Sequence, residues 1–449
     1  MRTIAKSVRA SDDESGFTII EVMVAMVVFA LIAAGVATGI VGTLALTQDN
    51  RSRETALNLA AADITAVRSN ADVFSVSGGT TTKTVGKRDY TVTRKTSWIT
   101  SSGTDNTCGA GSGQLSYKRV NVSVSWRSSP TATPRSVGLD TLVAPPSSVS
   151  TNDSSTIVVG VQTANGGPNP GVSVQVTPVS GTGAAALTAQ PPVTDSDGCT
   201  YVLNVTPGSY TVTINKSGNI TPDGKTSDVV TPRAGSVASK SFAYDLPASI
   251  TMTYATNANT TATLPTGFTG VVRHGDTIQA ATSSTVSVFP YTDGWNALGG
   301  AFSTTCRNVD PTTWPTADKL VTDPDILGPA IGGMPGESST AQIAMGVVGV
   351  QLKGSNTVLT ATVKNTSAVA NGDPGCSPSV RYTFAGLSAK SVTNIALPYG
   401  TWTLQEGTST TNASTAVATI SATPGADNVT VSASKNVVTL DPRVVPVAP

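Results

Sequence analysis

Gly16-Phe17-Thr18-Ile19-Ile20-Glu21-Val22-Met23-Val24-Ala25-Met26 is the stretch on which the reading of this chain turns. A short polar leader ends at Gly16, and an apolar run extends from Phe17 to about Leu46, interrupted early by one acid, Glu21. The run exceeds the roughly 20 residues a helix needs to cross a bilayer. A carboxylate near its start is costly in lipid unless it finds a partner, which marks Glu21 as functional. A secretory signal peptide has an apolar region of only about 7–15 residues, so cleavage of that kind, for instance after Ala37, fits neither the length nor the acid. Basic residues flank both ends, with Arg2, Lys6 and Arg9 before the run and Arg51 and Arg53 after it, so their count does not orient the segment.

With Gly, Phe and Glu at these offsets and the long apolar run behind them, residues 16–46 resemble the cleavage and methylation signal of type IV prepilins and type II secretion pseudopilins. The resemblance implies a prepilin peptidase that cuts after Gly16 and methylates the new N-terminus, Phe17. It also implies that Glu21 serves subunit docking, since a carboxylate in lipid or in a helix bundle gains from the Phe17 amine of a neighbour. The implied partners are that peptidase/methylase, other pilin subunits through the helix, and the membrane before assembly. Glu21-Val22-Met23-Val24-Ala25 looks more like minor pilins of the PilV and pseudopilin I type than like a major subunit. The implied location is the cytoplasmic membrane, single-pass with the C-terminus outside, and then a filament or the cell surface.

From Gln48 to Asn70 there is no Pro or Gly, so the helix is expected to continue past the membrane to about 50 residues. Leu57, Ala60, Ala61, Ile64, Val67 and Ala71 recur at helical spacing and predict one apolar stripe, with Arg51, Arg53, Glu54, Asp63 and Arg68 between. Two alternating segments follow, Asp89–Thr93 and Tyr117–Trp126, separated by a loop at Gly103–Gly113. A long helix with a small antiparallel sheet is the α+β arrangement the pilin resemblance implies for residues 17–142, with the transmembrane part at about 17–46.

After residue 75 the chain is rich in Thr, Ser, Val and Gly and poor in aromatics, the profile of short strands joined by turns. Residues 143–156 read as a Pro/Ser/Thr linker. Residues 157–245 contain Gly171–Val176, Thr194-Asp195-Ser196-Asp197-Gly198-Cys199 and Pro207-Gly208-Ser209-Tyr210-Thr211-Val212-Thr213-Ile214. That order resembles the carboxypeptidase regulatory-like domain, a transthyretin-like β-sandwich. Residues 246–340 read as a β-rich domain whose Pro-rich part, 307–340, is a long connection. Residues 341–449 carry Leu397-Pro398-Tyr399-Gly400-Thr401-Trp402-Thr403-Leu404, which echoes the strand at 207 and suggests a diverged repeat and a second sandwich of the same type. The tail from Asp441 reads as a surface strand or frayed end. The expected fold class is therefore an α+β pilin domain followed by all-β sandwich domains.

The chemistry available is narrow. Charged residues make up 12% of the chain and balance at 28 of each sign, so net charge argues neither for nor against a polyanionic partner. Cys108, Cys199, Cys306 and Cys376 form no CxxC and none has a histidine nearby in sequence, so zinc ligation finds little support. Disulfides are the expected use, Cys306–Cys376 with Cys108–Cys199 as the remaining pair of three possible pairings. His274 is expected at the surface beside a turn. Asp195-Ser196-Asp197-Gly198 reads as a tight turn or a calcium loop, without the bidentate Glu an EF-hand needs. Glu406 follows a strand as in sandwiches that form Lys–Asn isopeptide bonds, with Lys353 a possible partner. Nine Lys/Arg lie between Lys83 and Arg135 against Asp89 and Asp105, and Lys83, Lys87, Arg88, Arg94, Lys95, Lys118 and Arg119 make a possible polyanion patch. The alternatives are a solvated face near anionic headgroups or a complement to acidic neighbours in a filament. No catalytic constellation, cofactor or metal site is expected. The chain reads as a structural minor pilin or pseudopilin displaying β-sandwiches outside the cell, with a filament-borne adhesin or a DNA- or carbohydrate-binding module, of unknown extracellular ligand, as the alternative.

Overall fold

The computed structural model describes residues 17–103, 105–108, 114–129, 131–145, 153–258, 260–314, 328–364, 372–377, 379–417, 419–422, 429–431 and 436–443. Its first element is one helix, α1 (Ile19–Arg68), of 50 residues. Thr18 caps it, its hydroxyl accepting from the Glu21 amide at 3.3 Å. The apolar half is exposed all round, and an 18-residue window within it reaches a mean hydropathy of 2.7. Its hydroxyls are satisfied within the helix: Thr38 donates to the Gly35 carbonyl (2.9 Å) and Thr47 to that of Thr43 (2.8 Å). That is what a polar side chain in lipid requires.

The second half of α1 lies on an antiparallel sheet ordered β1-β2-β4-β5, where β1 is Gly79–Val85, β2 Arg88–Thr100, β4 Leu115–Trp126 and β5 Arg135–Val143; the two-residue β3 (Asp105–Asn106) adds to β2. Both central strands are longer than the alternating stretches suggested. Along β4, Val120, Val122, Val124 and Trp126 are buried against the helix. The buried stripe of α1 is Ser52, Ala56, Ala60, Ile64 and Val67. The expected stripe was turned slightly from this one: Leu57 is 36% exposed, and Ala61 and Ala71 are exposed. The sheet selects the small residues at 56 and 60 because they let the helix backbone approach closely.

The chain divides near residue 148 into two compact units. In the second, β6 (Ser155–Gln162) is buried from its first residue, so the linker expected at 143–156 ends sooner. Two three-stranded sheets enclose one core: β11-β6-β8 and β10-β9-β7, with β7 Ser173–Pro178, β8 Cys199–Val205, β9 Tyr210–Asn215, β10 Ser227–Val230 and β11 Val237–Ala243. The β6–β11 pairing is parallel, an exception in a largely antiparallel chain.

A second core gathers Ile250, Met252, Val272, Val288, Trp295 and Ile343 between the sheet of strands Ala248–Tyr254, Thr285–Val288 and Ser338–Ile343 and the sheet of strands Gly270–His274, Thr277–Ala280 and Asn296–Gly299. The third packs Trp314, Leu359, Phe384, Ile395, Trp402, Leu404 and Leu440. Two expectations are corrected here. Residues 307–340 are not merely a connection: Asn308, Asp310 and Trp314 are buried, and Ser338–Ile343 is a strand of the second core. The chain from Asp441 does not fray at once, because Asp441 and Arg443 are buried as an ion pair with Arg443 over the Trp314 ring at 5.2 Å.

Candidate assembly helix and its bracing

Phe17, just before the cap residue Thr18, and Glu21 in the first turn of α1 line one shallow apolar groove with Val22, Ala25, Met26 and Phe29. Phe17 is 83% exposed. Gly16 lies outside the described residues. A carboxylate in the first turn is favoured by the partial positive charge of the helix N-terminus, and an exposed apolar groove around it offers a neighbouring helix both contact area and one charged anchor.

The basic residues of the sheet are not gathered into one patch. Arg94 grips Asp63 of α1 with two bonds, Nε–Oδ2 at 2.8 Å and Nη2–Oδ1 at 2.6 Å. Arg135 pairs with Asp49, and Arg88 donates to the Ser52 hydroxyl. From the other side Arg68 of α1 donates to Thr141 Oγ1 at 2.7 Å. Lys118 is buried, its ammonium 3.4 Å from the Val73 carbonyl and 5.3 Å from the Trp98 ring centroid. Arg119 points to the far face of the sheet and meets Asp105 (3.4 Å) and Asp140 (3.5 Å). Lys95 shares that far face, whereas Lys83 pairs with Tyr90 on the helix side and Lys87 sits in the β1–β2 turn. The seven residues therefore divide between two faces and a turn, and Arg88, Arg94 and Lys118 are committed inside the unit. This weakens the polyanion reading, because it needs them converging on one surface.

Sequence reasoning missed this bracing, although a signal was present. Asp49, Ser52, Ala56, Ala60, Asp63 and Val67 recur at spacings of three and four, so acids at both ends of the stripe face a sheet rich in arginine.

The other singled-out residues take structural places. Asp195 Oδ1 accepts from the amides of Asp197 and Cys199, both at 2.9 Å, and Gly198 has φ +75°, which makes 195–198 a side-chain-closed turn. No cluster of three metal-ligating side chains occurs among the described residues. His274 is half-buried rather than free at the surface: it stacks on Tyr291 with ring centroids 3.6 Å apart, and its Nδ1 lies 2.9 Å from the Gly294 carbonyl. Glu406 is fully buried and its Oε2 accepts from the backbone N–H of Lys353 at 2.8 Å, while Lys353 as a residue is exposed. Cys306 and Cys376 are joined as a disulfide, and none of the described cysteines is a free thiol.

Residues 12–37 match the family profile described as the prokaryotic N-terminal methylation motif. No curated protein matches the chain in sequence. Solved structures with partial likeness include the Bacillus anthracis TIE protein (10% identity over 74% of this chain and 68% of that one, TM-score 0.20) and a streptococcal ancillary pilin (11%, 49% and 75%, TM-score 0.20). A third is the major pilin subunit BcpA of Bacillus cereus (12%, 64% and 92%, TM-score 0.17). At such scores the functional reading rests on the motif and on the helix that carries it.

Proposed function

We infer that this chain, which carries a prepilin-type N-terminal methylation motif, is a minor pilin or pseudopilin of a type IV pilus-like filament. Prepilin peptidase cleaves after Gly16 and methylates Phe17. The mature helix waits in the membrane with the C-terminus outside and then joins other pilin subunits, Glu21 of one meeting the Phe17 amine of another. The β-domains beyond residue 148 are displayed from the filament and act as structural cargo, not as an enzyme. The observation that carries this reading is the coincidence of the motif with a helix whose apolar half is unburied by the rest of the chain. Such a surface has to be covered by lipid or by like helices.

N-terminal sequencing of the membrane or filament form tests it. N-methyl-phenylalanine at position 17 is the expected first residue, and any other mature start removes the proposal. Glu21→Gln should leave cleavage intact while abolishing incorporation into filaments, read by immunoblot of sheared filaments against membranes. With Cys306–Cys376 bonded, we further propose Cys108–Cys199 as the second disulfide. Non-reducing peptide mass mapping of the exported protein should return both linked pairs.

A further inference from the structure

One end of the pilin unit carries two cations that the bracing of α1 leaves facing outward, Lys87 and Arg127, next to two that serve it, Arg88 and Arg135. Lys87 in the β1–β2 turn, Arg88 at the start of β2 and Arg127 just after β4 line a cleft of about 560 Å³ together with Asp89, Ser125 and Trp126. Lys87 and Arg127 are exposed. The Trp126 indole N–H is buried and has no hydrogen-bond partner among the described residues. Arg127 donates to the Ala132 carbonyl at 2.9 Å, which holds its side chain at the rim.

The level of this cleft along α1 is set by Arg88, which reaches Ser52, and by Arg135, which reaches Asp49. Ser52 lies six residues beyond Leu46, about 9 Å along the helix axis at 1.5 Å per residue. The apolar run from Phe17 to Leu46 is about 45 Å long on the same scale, matching a bilayer of about 40–45 Å with its headgroups included. With Phe17 at one interface, the cleft stands just above the opposite headgroups, within about one screening length of 8–10 Å. Across residues 48–54, 85–91 and 125–135 there are six cations (Arg51, Arg53, Lys87, Arg88, Arg127, Arg135) against three carboxylates (Asp49, Glu54, Asp89).

We propose that this end of the pilin unit is a docking surface for anionic phospholipid headgroups, with Lys87 and Arg127 cradling the phosphate and Arg88, held on Ser52, adding positive charge behind them. The inference rests on α1 spanning a bilayer and adds a second membrane contact that seats the head domain until assembly lifts the subunit out. Charge complementarity and continuity with the apolar helix select a lipid surface over a soluble polyanion: the cations ring the membrane-facing end rather than an outer face. Each Lys or Arg beside an anionic leaflet strengthens the contact by about fivefold, so Lys87→Gln with Arg127→Gln should weaken it about 25-fold.

The full chain is reconstituted into vesicles of phosphatidylcholine alone or with one-third phosphatidylglycerol, and amide hydrogen exchange is followed in peptides covering 85–91 and 125–129. Exchange there is expected to slow in the phosphatidylglycerol vesicles, to recover in high salt, and to lose its lipid dependence in the double variant, while strand Tyr210–Asn215 stays unchanged as an internal control. Equal exchange in both lipids, or an unaltered response in the double variant, overturns the proposal. Equal slowing by inorganic phosphate in phosphatidylcholine vesicles overturns the lipid as its source. Failure to float with either vesicle overturns the membrane reading as well, whereas flotation with equal exchange overturns this inference alone.

Discussion

Tyr210 and Trp402 show at the residue scale why two distant strands share a pattern. Each aromatic follows a glycine by two positions, is buried, and donates to the carbonyl four residues before it: Tyr210 to Thr206 at 2.8 Å and Trp402 to Pro398 at 2.9 Å. The glycines have φ +151° at 208 and +138° at 400, and a Cβ at 208 would stand 2.4 Å from the Ala184 backbone nitrogen. A side chain there meets backbone that has nowhere to move, so Gly208→Ala is expected to cost about 2–4 kcal/mol from strain and overpacking. Hydrogen exchange in β9 should rise while β2 is unaffected; unchanged exchange in β9 would refute the steric argument.

Tyr382 supplies a pH dependence at the same scale. Burial raises its phenol to about 12, while the Ala301 amide donates to its oxygen at 3.1 Å. Because the folded value lies above the unfolded value of about 10, its contribution to stability is complete below pH 10 and is lost as pH rises towards 12. Tyr382→Phe should flatten the alkaline decline of thermal stability between those limits, and an unchanged decline would assign it to other groups. The repeat was legible in sequence because its glycine and aromatic obey a local geometric rule. The Ala301 amide that meets Tyr382 and the Trp314 ring under Arg443 were not, because they come from segments about 80 and 130 residues away.

At the scale of the element, the extent of α1 could be read from the chain but its rotation about the axis could not. Apolar periodicity finds a helix and a broad face; which residues within that face are covered depends on the sheet. Leu57 carries the larger apolar side chain, yet Ala56 and Ala60 are buried with no exposure at all. Two substitutions separate these faces. Ala60→Leu forces a larger side chain under β4 and β5 and should cost about 1–3 kcal/mol, whereas Leu57→Ala should stay within about 0.5 kcal/mol as a surface change. Protection of α1 amides around residues 60–68 is the readout, and the reverse ranking would restore the stripe expected from periodicity. The arginine ties explain why the face is held in this rotation: Asp49 and Asp63, separated by 14 residues, anchor it at both ends. A basic segment looks from sequence like a ligand site because the acids that answer it lie on another element.

Across the second unit, residues 306–314 illustrate why a Pro-rich stretch can be misread as slack. Nothing in its composition alternates, yet it joins two cores through polar contacts that periodicity cannot register. Cys306 is bonded to Cys376, and the Arg307 amide donates to the Gly375 carbonyl at 3.1 Å. The Trp314 indole enters the third core while donating to the Asn308 carbonyl at 2.8 Å. Between these, the Asp310 carboxylate is buried, taking the Thr312 amide and hydroxyl on Oδ1 and Arg273 of the second core on Oδ2 at 2.6 Å. Arg273 thus holds the segment that carries Trp314, and this ion pair adds to the backbone and ring contacts between the two cores. Removing the cation leaves a buried carboxylate without its counter-ion, which typically costs about 3–5 kcal/mol. Arg273→Ala should therefore be the more damaging change. Asp310→Asn should cost less, since it gives up the buried charge itself and can keep the Thr312 bonds through its carbonyl oxygen. Coupling predicts that Arg273→Ala raises hydrogen exchange both in strand Gly270–His274 and in strand Gly400–Gly407 of the third core. Loss confined to Gly270–His274 would show that the Arg273–Asp310 pair does not couple the two cores.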